Sequence, residues 1–573
     1  MKFLRLLVYP FNIGTNKIVG AIRNFPITEK VLFFFAVSIF VISGGLLIFN
    51  INTNFQVEIP THGGTLREGI VGTPRFINPV LAISDADRDL TSLVYAGLTK
   101  ASSEGEYIPD LAESYVISED GTTYTFTLKD DLTFHDGEPI TTGDVAFTIQ
   151  MAQDPLLKSP KRVNWDGVAV NIISDKEIQF ILSDPFIPFI ENTTLGILPE
   201  HIWDNINTDQ FQFSQFNIDP IGSGPYKINS IRYNSGGLPI YYDLSPFKSY
   251  ALGEPYIDKI IIRLYQNNTE LIKAFNENDI DAISSFSKEE FESLSLSDSD
   301  KIIKTPLPRI FGLFFNQNEN PALLNQEVRE ALNIAVNRQD IVEKVFGEFA
   351  KSTDSPIPNF LETETVTSPD MAREMLEEEG WTINESTNVY ERETDDGIER
   401  LSLSISTSNL PELVKTAELL QEQWQNIGAD VQVKIFETSD LNQNVIRPRN
   451  FEVLLFGLVL GRNTDLYPFW HSSNRNDPGL NIAQYTNITV DKIVEDARVT
   501  SDSARRQDLF SSFNEELKKD MPAVFVYSPF FTYVLPEKVN YASIENVVLP
   551  SDRFNSVHEW YIDTYKVWKI FID

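Results

Sequence analysis

Hydrophobic and polar positions along this chain follow three different periods. Residues 31–49, VLFFFAVSIFVISGGLLIF, form an apolar run of 19 residues without a charge, and the uncharged stretch continues from Lys30 to Glu58. Such a run predicts one helix able to cross a hydrocarbon core of about 30 Å. Around residues 124–149, YTFTLKDDLTFHDGEPITTGDVAFTI, the period changes. Tyr124, Phe126 and Leu128 alternate with threonines, which puts them on one face of a strand. Asp136-Gly137 marks a tight turn, and Thr141 with Asp144 has capping-box spacing ahead of Val145, Ile149 and Ala152 at helical intervals. Further on, Val328, Ala331, Leu332, Ala335 and Val336 recur every three or four residues and define one buried helix face. The segment LLQEQWQNIGADVQVKIF reads as helix, glycine stop and strand, an αβ unit of a layered domain. Residues 384–399 are polar and acidic and read as a hairpin without a core role.

Charge gives the apolar run a direction. Lys2, Arg5, Lys17, Arg23 and Lys30 all precede it, so the positive-inside rule places residues 1–30 in the cytoplasm and everything after residue 50 outside. A cleaved signal peptide is the alternative, with Ser43, Gly44 and Gly45 as its small residues; the apolar LLIF that follows favours a retained anchor in the bilayer. Residues 50–64 are polar and read as an irregular tether. A chain of 573 residues calls for two or three domains, and its net charge of -35 opposes binding to nucleic acid. With no cysteine there is no disulfide, no thiolate and no thiol for a lipid anchor.

Catalytic signals are missing from the sequence. His62, His135, His201, His471 and His558 are scattered, and no HExxH, GxSxG or Walker loop occurs, so neither an enzyme nor a cofactor or metal site is expected. His135 reads as structural. Asp85, Asp87 and Asp89 lack the glycine and glutamate of a calcium loop, and Asp89 reads as solvated at a helix start. Gly222 and Gly224 lack phosphate-loop spacing and read as turn glycines.

The passage FHDGEP followed by T-x-x-DV closely resembles the signature of the family 5 extracellular solute-binding proteins, the peptide-binding receptors of ABC importers. The resemblance recurs in TLREGIVGTPRFINPVLAISDADRDLTSLVYAGL, YIPDLAESYVISEDG, ILPEHIW, DPIGSGPYKI and EVREALNIAVNRQDIVEKVFG, and covers about residues 65–573. It implies an α/β, bilobal periplasmic-binding-protein-like fold (type II, cluster C) with an extra subdomain, preceded by one transmembrane helix at residues 31–49. Lobe I is expected to comprise residues 65–97, 222–304 and 535–573, the extra subdomain 98–221 and lobe II 305–534. The chain is expected to cross between lobes near residues 302–309 and 534–541.

By the same resemblance, the partners are an oligopeptide held between hinged lobes outside the cytoplasmic membrane and an ABC permease within it. The implied ligand contacts are Ser84, Asp85 and Asp87 in the loop after the opening strand, Phe311 and Phe314 in IFGLFFN, and Asp465, Trp470 and His471 in FEVLLFGLVLGRNTDLYPFWHSSN. Asp465 stands where the family often pairs with a peptide's ammonium group, although Leu458 or Val459 replaces the usual tryptophan before it. An Asx-turn introducing Tyr467-Pro468 is the other reading of Asp465. An oligosaccharide or metal chelate as ligand, a surface sensor or adhesin without a permease, and a secreted hydrolase remain as alternatives.

Overall fold

The computed structural model describes residues 26–357, 366–395, 397–541 and 543–569. The chain divides into two compact units, Met1–Thr61 with Asp563–Asp573, and His62–Ile562. In the first, the apolar run lies within a helix, Ile27–Phe55. Among the described residues it is the one helix long and apolar enough to cross a membrane, by length and composition. A strand, Gln56–Thr61, follows directly and pairs antiparallel with Asp563–Trp568. Residues 50–64 are therefore not an irregular tether. The strand's partner comes from more than 500 residues away and satisfies its backbone groups, which no local pattern reveals. For the same reason residues 563–569, expected in the first lobe, group with the helix, while residues 570–573 lie outside the described residues. Of the basic segment expected in the cytoplasm, residues 1–25 lie outside the described residues.

The second unit is built on one long mixed sheet. Its central strand, Ala523–Leu535, spans 13 residues. Residues 523–527 pair with Phe311–Phe314, and residues 530–535 pair with Lys301–Pro306. On one side Phe531, Tyr533 and Leu535 enter the first-lobe core with Leu66, Tyr242 and Ile260. On the other, Val524, Val526 and Tyr527 join Leu313, Leu332 and Trp424. This strand passes between cores at residues 527–531, earlier than the passage expected at 534–541. The apolar pattern VFVYSPFFTYVL is interrupted there by Ser528-Pro529, the local signal of the earlier passage.

Signature elements form as their periods require. Thr123–Leu128 buries alternate residues within a four-stranded antiparallel sheet made with Ala112–Ile117, Glu177–Ile181 and Ala169–Ser174. Gly137 has φ 97°, and helix Thr142–Gln153 starts in a complete capping box between Thr141 and Asp144. Residues 382–400 form a three-stranded sheet, yet Tyr390 is buried in the second-lobe core, so this excursion does contribute to packing.

Two further readings change on long-range grounds. A Cβ added to Gly222 would lie 2.1 Å from the Val94 carbonyl oxygen, and one on Gly224 would lie 2.5 Å from the Val94 carbonyl carbon. Close backbone approach, rather than a turn, requires these glycines. Asp89 is also not solvated. Both of its oxygens accept from the Arg553 guanidinium at 2.7 and 2.8 Å, Arg553 Nε donates to Glu68 at 3.1 Å, and the Tyr533 hydroxyl donates to Glu68 at 2.7 Å, all fully inside the first lobe.

Candidate functional site

First lobe, inserted sheet and second lobe meet around a cavity of about 280 Å³. Helix Asp85–Val94 and the residues after it contribute Arg88, Thr91 and Tyr95; strand Tyr107–Pro109 and its end contribute Tyr107 and Asp110. The inserted segment supplies Lys161, Trp165 and Glu191, the second lobe supplies Arg462, and Asp552 comes from near the end of the first lobe.

Five buried polar atoms of lining residues have no hydrogen-bond partner among the described residues: Thr91 Oγ1, Tyr95 Oη, Tyr107 Oη, Asp110 Oδ1 and Trp165 Nε1. Leaving such atoms unpaired costs about 1–3 kcal/mol each, and folded proteins rarely gather several in one place. Together they offer a polar guest both donors and an acceptor.

Charges of both signs surround these atoms. Lys100 Nζ donates to the Tyr250 hydroxyl at 3.1 Å, which donates to Asp110 Oδ2 at 3.2 Å. Burial lowers the Lys100 pKa and raises that of Asp110, while each opposes the other's shift. Burial likewise lowers the Lys161 pKa and raises that of Glu191, the latter against the pull of Tyr107 and Arg462. Arg462 is held by Asp552 at 3.0 Å and by the Asn546 carbonyl. His135 of the signature lies outside the cavity: its Nε2 meets the Gly224 carbonyl at 3.0 Å, and burial lowers its pKa to about 4. A structural role fits that placement.

The eight residues singled out from sequence do not gather at this cavity among the described residues. Ser84 caps its helix by accepting from Asp87 N at 3.1 Å, and Asp87 returns the bond while accepting from Arg75 N and Phe76 N at 2.7 and 2.8 Å. These two carboxylate and hydroxyl groups hold the loop in place. Asp85 is exposed and pairs with Arg88 at 3.3 Å. Phe311 stacks on Tyr527 with rings 4.9 Å apart, and Phe314 and Trp470 are core residues of the second lobe. His471 stacks on Tyr467 at 4.2 Å and meets Glu495 at 3.1 Å.

Asp465 takes the turn role. Its Oδ1 accepts from Tyr467 N at 3.2 Å and its Oδ2 from Arg498 at 2.7 Å. Arg498 in turn lies over the Tyr467 and Phe186 rings. Both Asp465 oxygens are thus engaged by the protein's own donors.

Sequence reading missed Lys161, Trp165, Glu191 and Arg462. One signal was available: Glu191 is the only charge between Asp184 and Glu200, an acid isolated in PFIPFIENTTLGILP.

Similarity to known proteins agrees with this architecture. Residues 106–479 match bacterial extracellular solute-binding proteins, family 5 Middle, and the chain belongs to that family. It is 27% identical over 499 residues to the oligopeptide-binding protein AppA of Bacillus subtilis, covering 84% of this chain and 89% of that protein. The crystal structure of the ABC transporter substrate-binding protein CtaP from Listeria monocytogenes superposes with a TM-score of 0.72 at 26% identity, covering 88% of this chain and 100% of the other. The structure of Bacillus subtilis AppA in complex with a nonapeptide gives 0.67 at 24% identity, with coverage of 88% and 100%. The fold is that of the bilobal periplasmic binding proteins.

Proposed function

We propose that this protein captures an oligopeptide in the cavity between its lobes and delivers it, chemically unchanged, to an ABC permease. The observation that carries this reading is the set of buried, unpaired polar atoms of Thr91, Tyr95, Tyr107, Asp110 and Trp165 around one space. A peptide offers alternating donors and acceptors together with terminal charges, and the cavity holds the complements of both. The related oligopeptide-binding proteins support the choice of ligand. Since Asp465 is already committed to Arg498, Glu191 is the better partner for the peptide's ammonium and Lys161 for a carboxylate.

Calorimetry with short peptides carrying free or acetylated amino groups tests the assignment. Glu191→Gln weakens free peptides by about tenfold to a hundredfold, the worth of a charge-assisted contact of roughly 1.5–3 kcal/mol. Acetylation costs the wild type the same and the variant little more, because both changes remove one interaction. Equal affinity of the wild type for both peptides would remove Glu191 from this role and make an uncharged solute the better ligand.

The same reading places residues 31–49 in the cytoplasmic membrane as a retained anchor with the body outside. Protease added to intact spheroplasts should then digest the body and leave a protected N-terminal fragment of about 50 residues. A mature chain starting near Gly44 would show cleavage instead.

A further inference from the structure

The foot of the two-stranded ribbon carries an aromatic pair at a defined height on the anchor helix. Trp568 stacks on Phe55 with ring centroids 6.4 Å apart and planes at 16°, and its Nε1 donates to Asn52 Oδ1 at 3.0 Å. The register sets Trp568 opposite Gln56, the first residue after the helix, so it occupies the ribbon end nearest the apolar run. Both rings remain open to the surroundings, Phe55 at 54% and Trp568 at 37%.

Helical rise turns these positions into depths. The uncharged apolar run ends at Phe49; Asn52 lies about 4.5 Å and Phe55 about 9 Å beyond it at 1.5 Å per residue. A bilayer's headgroup layer is roughly 5–8 Å thick on each side of its hydrocarbon core. Trp568, bonded to Asn52 and stacked on Phe55 at the layer's outer edge, therefore stands between these two depths, where tryptophan, with an apolar ring and one N–H, is most favourable in a membrane.

We propose that the foot of this ribbon, Trp568 with Phe55, is a second membrane-binding element seated in the headgroup layer of the outer leaflet. It rests on the anchor reading above, since the depth is measured from the membrane helix. One helix alone can rotate about its own axis in the bilayer; a second contact, supplied by the strand Asp563–Trp568, restrains the helix and ribbon.

Tryptophan emission reads the contact directly. All seven tryptophans lie among the described residues, and Trp165, Trp203, Trp381, Trp424, Trp470 and Trp560 are fully buried in the body. Full-length protein is reconstituted into phosphatidylcholine vesicles, plain or brominated near the head of the acyl chain, and recovered by flotation. Wild type should lose up to one-seventh of its emission in the brominated vesicles, and Trp568→Phe, which keeps an aromatic ring against Phe55, should lose none. If the protein floats with the vesicles but emission is equal in both lipids, or if wild type and variant are quenched alike, the membrane role of Trp568 is wrong and the anchor stands. Failure to float at all would overturn the anchor itself and this inference with it.

Discussion

Arg553→Met should destabilise the body by about 3–5 kcal/mol, the usual cost of removing one member of a buried ion pair. Arg553 is fully buried and serves two carboxylates, Glu68 and Asp89, which would be left together without a cation. Urea unfolding of the detergent-solubilised chain, followed by tryptophan emission, measures the loss. Adding Glu68→Gln and Asp89→Asn to the same chain should recover more than half of it, because the stranded charges rather than the missing contacts dominate. A variant with the wild-type midpoint would show that the triad is incidental.

The pH dependence has a definite sign. Burial already raises the pKa of Glu68 and of Asp89, and the Arg553 charge is what opposes that rise. Without it both move higher, so the folded variant binds more protons than the unfolded chain, whose carboxyls titrate near about 4. Stability of the variant then falls as pH rises through the folded-state pKa values, and its deficit relative to wild type shrinks as pH is lowered from roughly 8 toward 5. A deficit that does not change with pH would contradict this account.

Gly222→Ala should cost about 3 kcal/mol, the upper part of the range for overpacking, because the new methyl meets backbone rather than a side chain that can rotate away. The same junction is tied by bonds from Gly224 N to the Val94 carbonyl at 2.8 Å and from His135 N to the Gly222 carbonyl at 2.8 Å. Tyr95 follows Val94 and lines the cavity, so a shift of this corner also disturbs the site. Thermal unfolding should show a lowered midpoint, and calorimetry at a temperature where the variant is folded should show weaker peptide binding. Wild-type values in both would mean that the chain accommodates the methyl without moving Tyr95.

The features that could be read from sequence are those whose partners lie a few residues apart. Thr141 and Asp144 announce their capping box, and Val328, Ala331 and Leu332 announce a buried face, because three and four residues are one helical turn. Family resemblance extended that reading to the bilobal fold. It failed for side chains whose role depends on distant partners. Asp465 read equally as a ligand contact or an Asx-turn, and its bond to Arg498, 33 residues on, was not legible locally, while Asp89 looked solvated until Arg553 was brought beside it. Lys161, Trp165, Glu191 and Arg462 become one site only when the first lobe, the insertion and the second lobe meet, and no window of sequence contains them all.

The separation of 464 residues between Asp89 and Arg553 also bears on the order of events as the chain is made. The segments that carry Glu68 and Asp89 are made while Arg553 has yet to be synthesised. Until it arrives, Glu68 and Asp89 remain carboxylates that water solvates far better than an apolar interior does, which opposes premature closure of the first core. Loop closure across so long a span is slow and is completed only once synthesis has reached Arg553. A chain truncated before Arg553 should accordingly persist as a protease-sensitive, uncollapsed first lobe, and a full-length chain should acquire protection there last.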